Sequence, residues 1–312
     1  MSNYVATIDL GTNTFHILIA ELLRDKPFKI INNQLIPEMI GRGGINQGVI
    51  TPEAADRAIS ALTSFRDTLL SYQIPNERVY CTATSAFRNA RNGRNLVSRI
   101  KQETGIEVNI IPGDQEAAYI FHGVREAVPL SDQSALIMDI GGGSVEFILC
   151  NQDQVLWKQS FEIGAQRLLD RFNIQDPITQ ANINTLQQYF SETLQPLSAI
   201  VEQYRPQVLI GASGTFDTLS DIHILENNVI VDKSATELPL TIAAFEQMLE
   251  DFSGMNRQQR LEIPGMIEMR VDMIVVAAWL IQFVVNTYQL QDIRVSAYAL
   301  KEGLVAQLVE QF

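Results

Sequence analysis

With 312 residues, 46% of them hydrophobic and 19% charged, the chain can bury a large core, is too apolar for global disorder, and has a length that favours two domains over one. A formal net charge of −13 excludes wholesale nucleic-acid binding. The most hydrophobic stretch, Met273 to Val285, follows Asp272 and is interrupted by Gln282; it is too short for the roughly 20 apolar residues a bilayer demands and reads as a buried helix. Cys81 and Cys150 have no metal-ligand spacing, which predicts buried thiols in a reducing compartment.

The N-terminus runs from MSN straight into the apolar segment YVATIDL, with neither a basic leader region nor a small-residue cleavage site. The expectation is a soluble cytoplasmic protein with no membrane partner. The first elements belong to an internal repeat: IDLGTNTFHILI (Ile8 to Ile19) aligns without gaps to MDIGGGSVEFIL (Met138 to Leu149). Asp9 matches Asp139, Gly11 matches Gly141, Thr14 matches Ser144, and His16 takes the place of Glu146. Each copy reads as a strand, a tight Asp-x-Gly turn and a second strand of alternating character.

Between the copies the pattern is β/α. Thr51 to Tyr72 reads as a helix with Thr51 as N-cap, Pro52 in the first helical position and Glu53 in the first turn. Val79 to Thr84 is a predicted strand, Leu96 to Thr104 a helix closed by Gly105, Val108 to Ile111 a strand and Gln115 to Val124 a helix. After the second copy come a strand at Val155 to Ser160, a helical region from Thr179 to Tyr204 interrupted at Pro196, and a strand at Val208 to Gly211. Helices at Thr241 to Phe252 and Met266 to Tyr288, a strand at Arg294 to Ser296 and a helix at Tyr298 to Glu310 complete the chain. Strands alternating with helices imply an α/β fold with mixed sheets. The boundary is expected within residues 122 to 134, giving a first domain of 1–125 and a second of 126–296. The final helix, about 297–312, should pack back on the first.

The charge is uneven. Residues 1–125 carry a net charge of +1 and residues 126–312 a net charge of −14. No carboxylate lies between Glu77 and Glu103, an interval holding Arg78, Arg88, Arg91, Arg94, Arg99 and Lys101. Such a run fits a solvated helix face or an anion-binding surface. The turn Gly11-Thr12-Asn13-Thr14 can present backbone N–H groups and side-chain donors to phosphate oxygens, with Asp9 holding magnesium through water; alone it also fits an ordinary polar hairpin. In the second copy, Gly141, Gly142 and Gly143 form a bare backbone that an anion can approach closely. Asp139 precedes it, and Glu146 follows on the same face as Ser144. A third glycine-rich loop, Gly211-Ala212-Ser213-Gly214-Thr215, follows a strand and precedes a helical segment, a common anion site. Glu116, after a Pro-Gly turn, fits either complementation of a helix dipole or a general base. His122 and His223 have no partner pattern and are assigned structural roles.

Together these segments resemble the exopolyphosphatase and guanosine pentaphosphate phosphohydrolase family over nearly the whole chain. The resemblance rests on DLGTNTFHILIA at Asp9 to Ala20, TATSAFRNARNG at Thr82 to Gly93, PGDQEAAYIFHGV at Pro112 to Val124 and DIGGGSVEF at Asp139 to Phe147. GASGT at Gly211 to Thr215, RVDMI at Arg270 to Ile274 and SAYALKEG at Ser296 to Gly303 extend it. It implies a duplicated actin-like (ribonuclease H-like) ATPase fold, two domains with a cleft between them, and a Mg2+-dependent hydrolase of terminal phosphoanhydrides. By matching position it implies Glu116 as catalytic base, Asp139 and Glu146 as carboxylates that handle metal and water, and Asp9 as a second metal-side carboxylate. Thr12 to Thr14 and Gly142 to Ser144 become phosphate cradles, and Arg88 and Arg270 substrate arginines. It also suggests a homodimer.

The chain departs from the family at Pro112, Gln115, Val145 and Met39, the last where many members carry arginine, although Arg42 is nearby. It resembles the short, two-domain form, which favours short polyphosphates or nucleotides. The leading expectation is release of orthophosphate from inorganic polyphosphate, and the alternative is hydrolysis of guanosine pentaphosphate. An actin-like ATPase or small-molecule kinase, and a polyphosphate or nucleotide sensor without turnover, are readings of other classes.

Overall fold

The computed structural model describes residues 3–23 and 28–310; the last two residues of the predicted 297–312 segment lie outside them. Contacts divide the chain into two compact units, Met1–Glu126 with Ala299–Phe312, and Ala127–Tyr298.

The first unit contains β1 (Tyr4–Leu10), β2 (Thr14–Leu22), β3 (Phe28–Pro37), α1 (Pro52–Ser71), β4 (Val79–Ala83), α2 (Ser85–Asn89), α3 (Gly93–Thr104), β5 (Val108–Ile110) and α4 (Gly113–Ala127), whose last residue falls past the division. The second contains β6 (Ala135–Ile140), β7 (Val145–Cys150), β8 (Val155–Phe161), α5 (Ala165–Phe172), α6 (Gln180–Thr193), α7 (Gln195–Tyr204), β9 (Val208–Ala212) and α8 (Ser213–Asn227). It continues through β10 (Glu237–Leu238), α9 (Ile242–Gly254), α10 (Arg257–Leu261), α11 (Met273–Tyr288) and β11 (Asp292–Ser296), after which α12 (Leu300–Glu310) rejoins the first unit.

The two sheets share one wiring. The first has the order β3-β2-β1-β4-β5 and the second β10-β11-β9-β6-β7-β8. In each, a three-stranded antiparallel meander (β1–β2–β3, β6–β7–β8) joins parallel strands (β4 and β5, β9 and β11) beside its first strand. The duplicated α/β architecture expected from the repeat is therefore present.

Period-two alternation sets what each strand buries. On β1, Ala6, Ile8 and Leu10 join Phe15, Ile17 and Ile19 of β2 in a core with Ala58, Leu62 and Phe65 of α1. Val5, Leu18 and Ala20 point to the opposite face and pack on Val305 of α12. Asp9 and His16 share that second face by alternation. In the second unit, Leu136, Met138, Ile140, Val145, Phe147 and Leu149 form one core with the apolar helix α11, which places Asp139 and Glu146 on the opposite face. Buried side chains of this size contribute about 1.5–3 kcal/mol each, so the strand faces are strongly specified.

Local signals performed unevenly. Thr51 caps α1 by accepting the Ala54 N–H at 3.3 Å, and Gly105 ends α3 in the left-handed region at φ 77°. The helix predicted from Thr179 to Tyr204 is broken at Leu194, just before Pro196. The helix predicted from Met266 to Tyr288 is a correction: only Met273–Tyr288 is helical, and residues 268–272 form turns. Arginine side chains from α10 hold those turns, as described below. Strands β3 and β10 and helices α2, α5 and α10 were not predicted. Among the described residues, no helix is long and apolar enough to cross a membrane.

Candidate active site

The predicted site residues divide between the units. In the first, the Gly11 N–H donates to the Thr14 carbonyl at 3.0 Å and closes the β1–β2 turn. Asp9 lies directly across the ladder from His16, whose Nε2 is 3.1 Å from the Thr14 hydroxyl. The chain that follows β3 straps this turn. The N–H groups of Glu38 and Met39 both donate to the Asn13 carbonyl at 2.9 Å, and that of Gly41 to the Thr12 carbonyl at 3.2 Å. Met39, one of the family departures, takes φ 44° to make the strap. Arg57 steadies it, donating to the Glu38 carbonyl at 3.0 Å and facing the Glu38 carboxylate at 3.7 Å. Burial pushes that carboxyl above its ordinary range, against the pull of Arg57.

Arg88 and Glu116, predicted separately, are brought together. An Arg88 N–H donates to Glu116 Oε2 at 2.8 Å and to the Ile111 carbonyl at 3.1 Å. Glu116 is buried in the first turn of α4, a position that also complements the helix dipole. Gln115, another departure, donates to the Tyr119 hydroxyl at 2.6 Å.

In the second unit, the Gly141 N–H donates to the Ser144 carbonyl at 3.0 Å, the same turn bond as in the first copy. Here the strap is the N-terminus of α5. Ala165 N–H donates to the Gly141 carbonyl (3.0 Å), Arg167 N–H to Gly142 (3.1 Å) and Gly164 N–H to Gly143 (3.2 Å). Arg167 Nε adds a bond to the Gly143 carbonyl at 2.9 Å, and Glu162 holds its other end at 2.7 Å. A side chain at Gly164 would put its Cβ 2.4 Å from the Gly142 carbonyl carbon and the Gly143 nitrogen, so only glycine permits this approach. With the carbonyls occupied, the amides of Gly142, Gly143 and Ser144 donate to no backbone carbonyl among the described residues. Buried amides in that condition favour an anion. Gly164 and Arg167 were missed by the sequence reading; a glycine between a strand and an amphipathic segment was the available signal.

Asp139 and Glu146 are register partners on β6 and β7. Ser213 Oγ donates to Asp139 Oδ2 at 2.6 Å and Ser160 Oγ to Glu146 Oε1 at 2.6 Å. Ser213 reaches Asp139 from φ 66° at the junction of β9 and α8, a conformation uncommon outside glycine and concentrated at functional sites. Arg270 packs against Gly214 so closely that a Cβ there would lie 1.6 Å from Nη2. Burial holds its guanidinium below the ordinary pKa, while the charges of Asp217 and Asp139 pull it back up. Thr215 is buried at the start of α8.

Two like charges directly opposed across a ladder repel, and a hard divalent cation relieves that repulsion. A pair of carboxylates fits Mg2+, which usually takes one or two carboxylates and completes its shell with water and phosphate oxygens.

The model of the Ppx/GppA phosphatase family matches residues 37–312. The chain is similar to exopolyphosphatase 1 of Mycobacterium tuberculosis, with 25% identity over 307 residues, covering 98% of this chain and 88% of that protein. It is also similar to the crystal structure of an exopolyphosphatase from Cytophaga hutchinsonii, with 42% identity, a TM-score of 0.95 and coverage of 99% of this chain and 98% of the other. The crystal structure of the Aquifex aeolicus Ppx/GppA family member shares the fold at 23% identity and a TM-score of 0.79, covering 99% and 98% of the two chains. The protein belongs to the Ppx/GppA phosphatase family.

Proposed function

We propose that the protein is an exopolyphosphatase that hydrolyses the terminal phosphoanhydride of inorganic polyphosphate. The observation that carries this reading is the pair of homologous turns whose carbonyls are held by neighbouring backbone, an arrangement that suits anion binding by the remaining amides. Similarity to exopolyphosphatases supports it. Phosphoryl transfer needs positioning and charge neutralisation more than covalent chemistry. The amides of Gly142, Gly143 and Ser144, with Thr12, Asn13 and Thr14, bind phosphoryl oxygens. Arg88 and Arg270 offset negative charge along the chain, and Ser213, Gly214 and Thr215 add donors at the start of α8. Glu116 accepts a proton from water as the water oxygen bonds to the terminal phosphorus. The bridging P–O bond breaks, its electron pair stays on the shortened chain, and orthophosphate leaves. In the second unit Asp139 and Glu146 would hold Mg2+, which would supply neutralisation of phosphoryl oxygens.

Guanosine pentaphosphate presents the same terminal group to the same residues. The test is phosphate release by purified protein with Mg2+ from short polyphosphate, long polyphosphate, guanosine pentaphosphate and ATP side by side. Fast release from polyphosphate is expected. Release from the guanosine nucleotide alone would replace the substrate, and tight binding of every substrate without release would make the protein a sensor.

A further inference from the structure

Arg270 stands in a run of turns between α10 and α11, outside any helix or strand. A substrate arginine on irregular backbone must be held by something else. Helix α10, closed by a capping box between Asn256 and Gln259, supplies the grip. Arg260 is 2% exposed. Its Nε donates to the carbonyl of Val271, the next residue after Arg270, at 3.0 Å. Its Nη1 donates to Asp176 Oδ1 at 2.8 Å and to the Met255 carbonyl. Asp176 ties the start of the helix as well, its Oδ2 accepting the backbone N–H of Arg257 at 2.6 Å. Arg257 also pairs with Glu268 at 3.3 Å and Asp272 at 3.2 Å, on either side of Arg270.

These contacts are unequal. The Arg257 pairs are solvent-exposed, and exposed ion pairs contribute little. Arg260 is a buried cation whose partners must all stay in place, because a buried charge that loses its partner is strongly unfavourable. We infer that Arg260 and Asp176 are positioning residues that fix the Arg270 turn, and with it the guanidinium against Gly214, for capture of the polyanionic substrate. The inference rests on the reading of Arg270 as a substrate contact.

The test is a double-mutant comparison of Asp176→Asn, Arg270→Ala and the pair, with Arg260→Lys as the conservative variant of the clamp. Asp176→Asn keeps an oxygen that can accept from Arg260 while removing the carboxylate's charge, and the stability this costs is read separately as the thermal midpoint. Arg270→Ala is expected to raise KM for polyphosphate and flatten its salt dependence, with a smaller change in kcat. Asp176→Asn is expected to raise KM about tenfold, within the range that a misplacement of about 1 Å produces. In the Arg270→Ala background it should raise KM no further, while its shift of the thermal midpoint stays the same in both backgrounds. Arg260→Lys, which keeps the charge and loses the fork, should fall between wild type and Asp176→Asn. An equal KM effect of Asp176→Asn in both backgrounds, or none in either, overturns the inference. Arg270→Ala alone leaving KM unchanged removes the contact itself, and the single variant reveals that failure.

Discussion

The two hairpins solve one problem with different material. Both close on the same N–H to carbonyl bond at 3.0 Å, and both have their carbonyls captured by the chain that follows the third strand of the meander. The first turn is rich in side chains, Thr12-Asn13-Thr14, and its strap is an irregular loop bent at Met39. The second is bare glycine, and its strap is a helix N-terminus that Gly164 lets in. Across the ladder the copies diverge further: Asp9 faces His16, whereas Asp139 faces Glu146. The two copies share the backbone geometry, and they differ at one register position, where the second unit has a pair of carboxylates. The first unit instead carries the ion pair of Arg88 and Glu116.

That division of labour can be broken by experiment. The largest effect should come from Glu116→Gln, with turnover falling on the order of 100-fold or more in phosphate release while substrate binding persists; unchanged turnover would remove Glu116 from the chemistry. Glu146→Gln set against His16→Gln tests the ladder positions directly. The first should lower activity at limiting Mg2+ by at least about tenfold and recover partly as Mg2+ is raised, and the second should stay within about threefold. Equal losses would show that the copies do not differ in this way.

Gly164→Ala and Gly41→Ala compare the straps. At Gly164 the new Cβ meets backbone, so unfolding should show a loss of about 1–3 kcal/mol. At Gly41 it meets the Thr12 methyl at 2.5 Å and the Ile45 side chain, which yield more easily, and the loss should stay below about 1.5 kcal/mol. An effect confined to alkaline pH concerns Cys150, whose thiol is pushed up to about 12 by burial. Because the unfolded thiol ionises at about 8.5, its contribution is complete below that pH. It declines toward pH 12 with a slope of at most about 1.4 kcal/mol per pH unit. Cys81, buried and likewise raised, acts in the same direction. Replacing both with alanine should flatten the alkaline limb of a stability profile.

The hairpins were legible because a gapless repeat marks them and alternation assigns their faces. The pairing of Arg88 with Glu116 was not, since it depends on where α2 ends and α4 begins rather than on any spacing. Strand β3 escaped because Asn32, Asn33 and Gln34 interrupt its apolar pattern, and α5 because it is short and lacks a side-chain N-cap. Met266 to Val271 imitated a helix through its apolar spacing, whereas Arg257 and Arg260 pin it as turns. The straps left almost no trace, since carbonyl capture by distant amides has no residue signature beyond a glycine such as Gly164.

The captured carbonyls have a thermodynamic consequence. The strapped turns take their shape when the units fold, so on the proposed reading an incoming phosphate need not order them and loses little affinity to conformational entropy. An unfolded chain offers no such cradle. Occupancy and folding are therefore linked by mass action, and at a hundred times the dissociation constant a bound polyanion adds about 2.7 kcal/mol to the unfolding free energy.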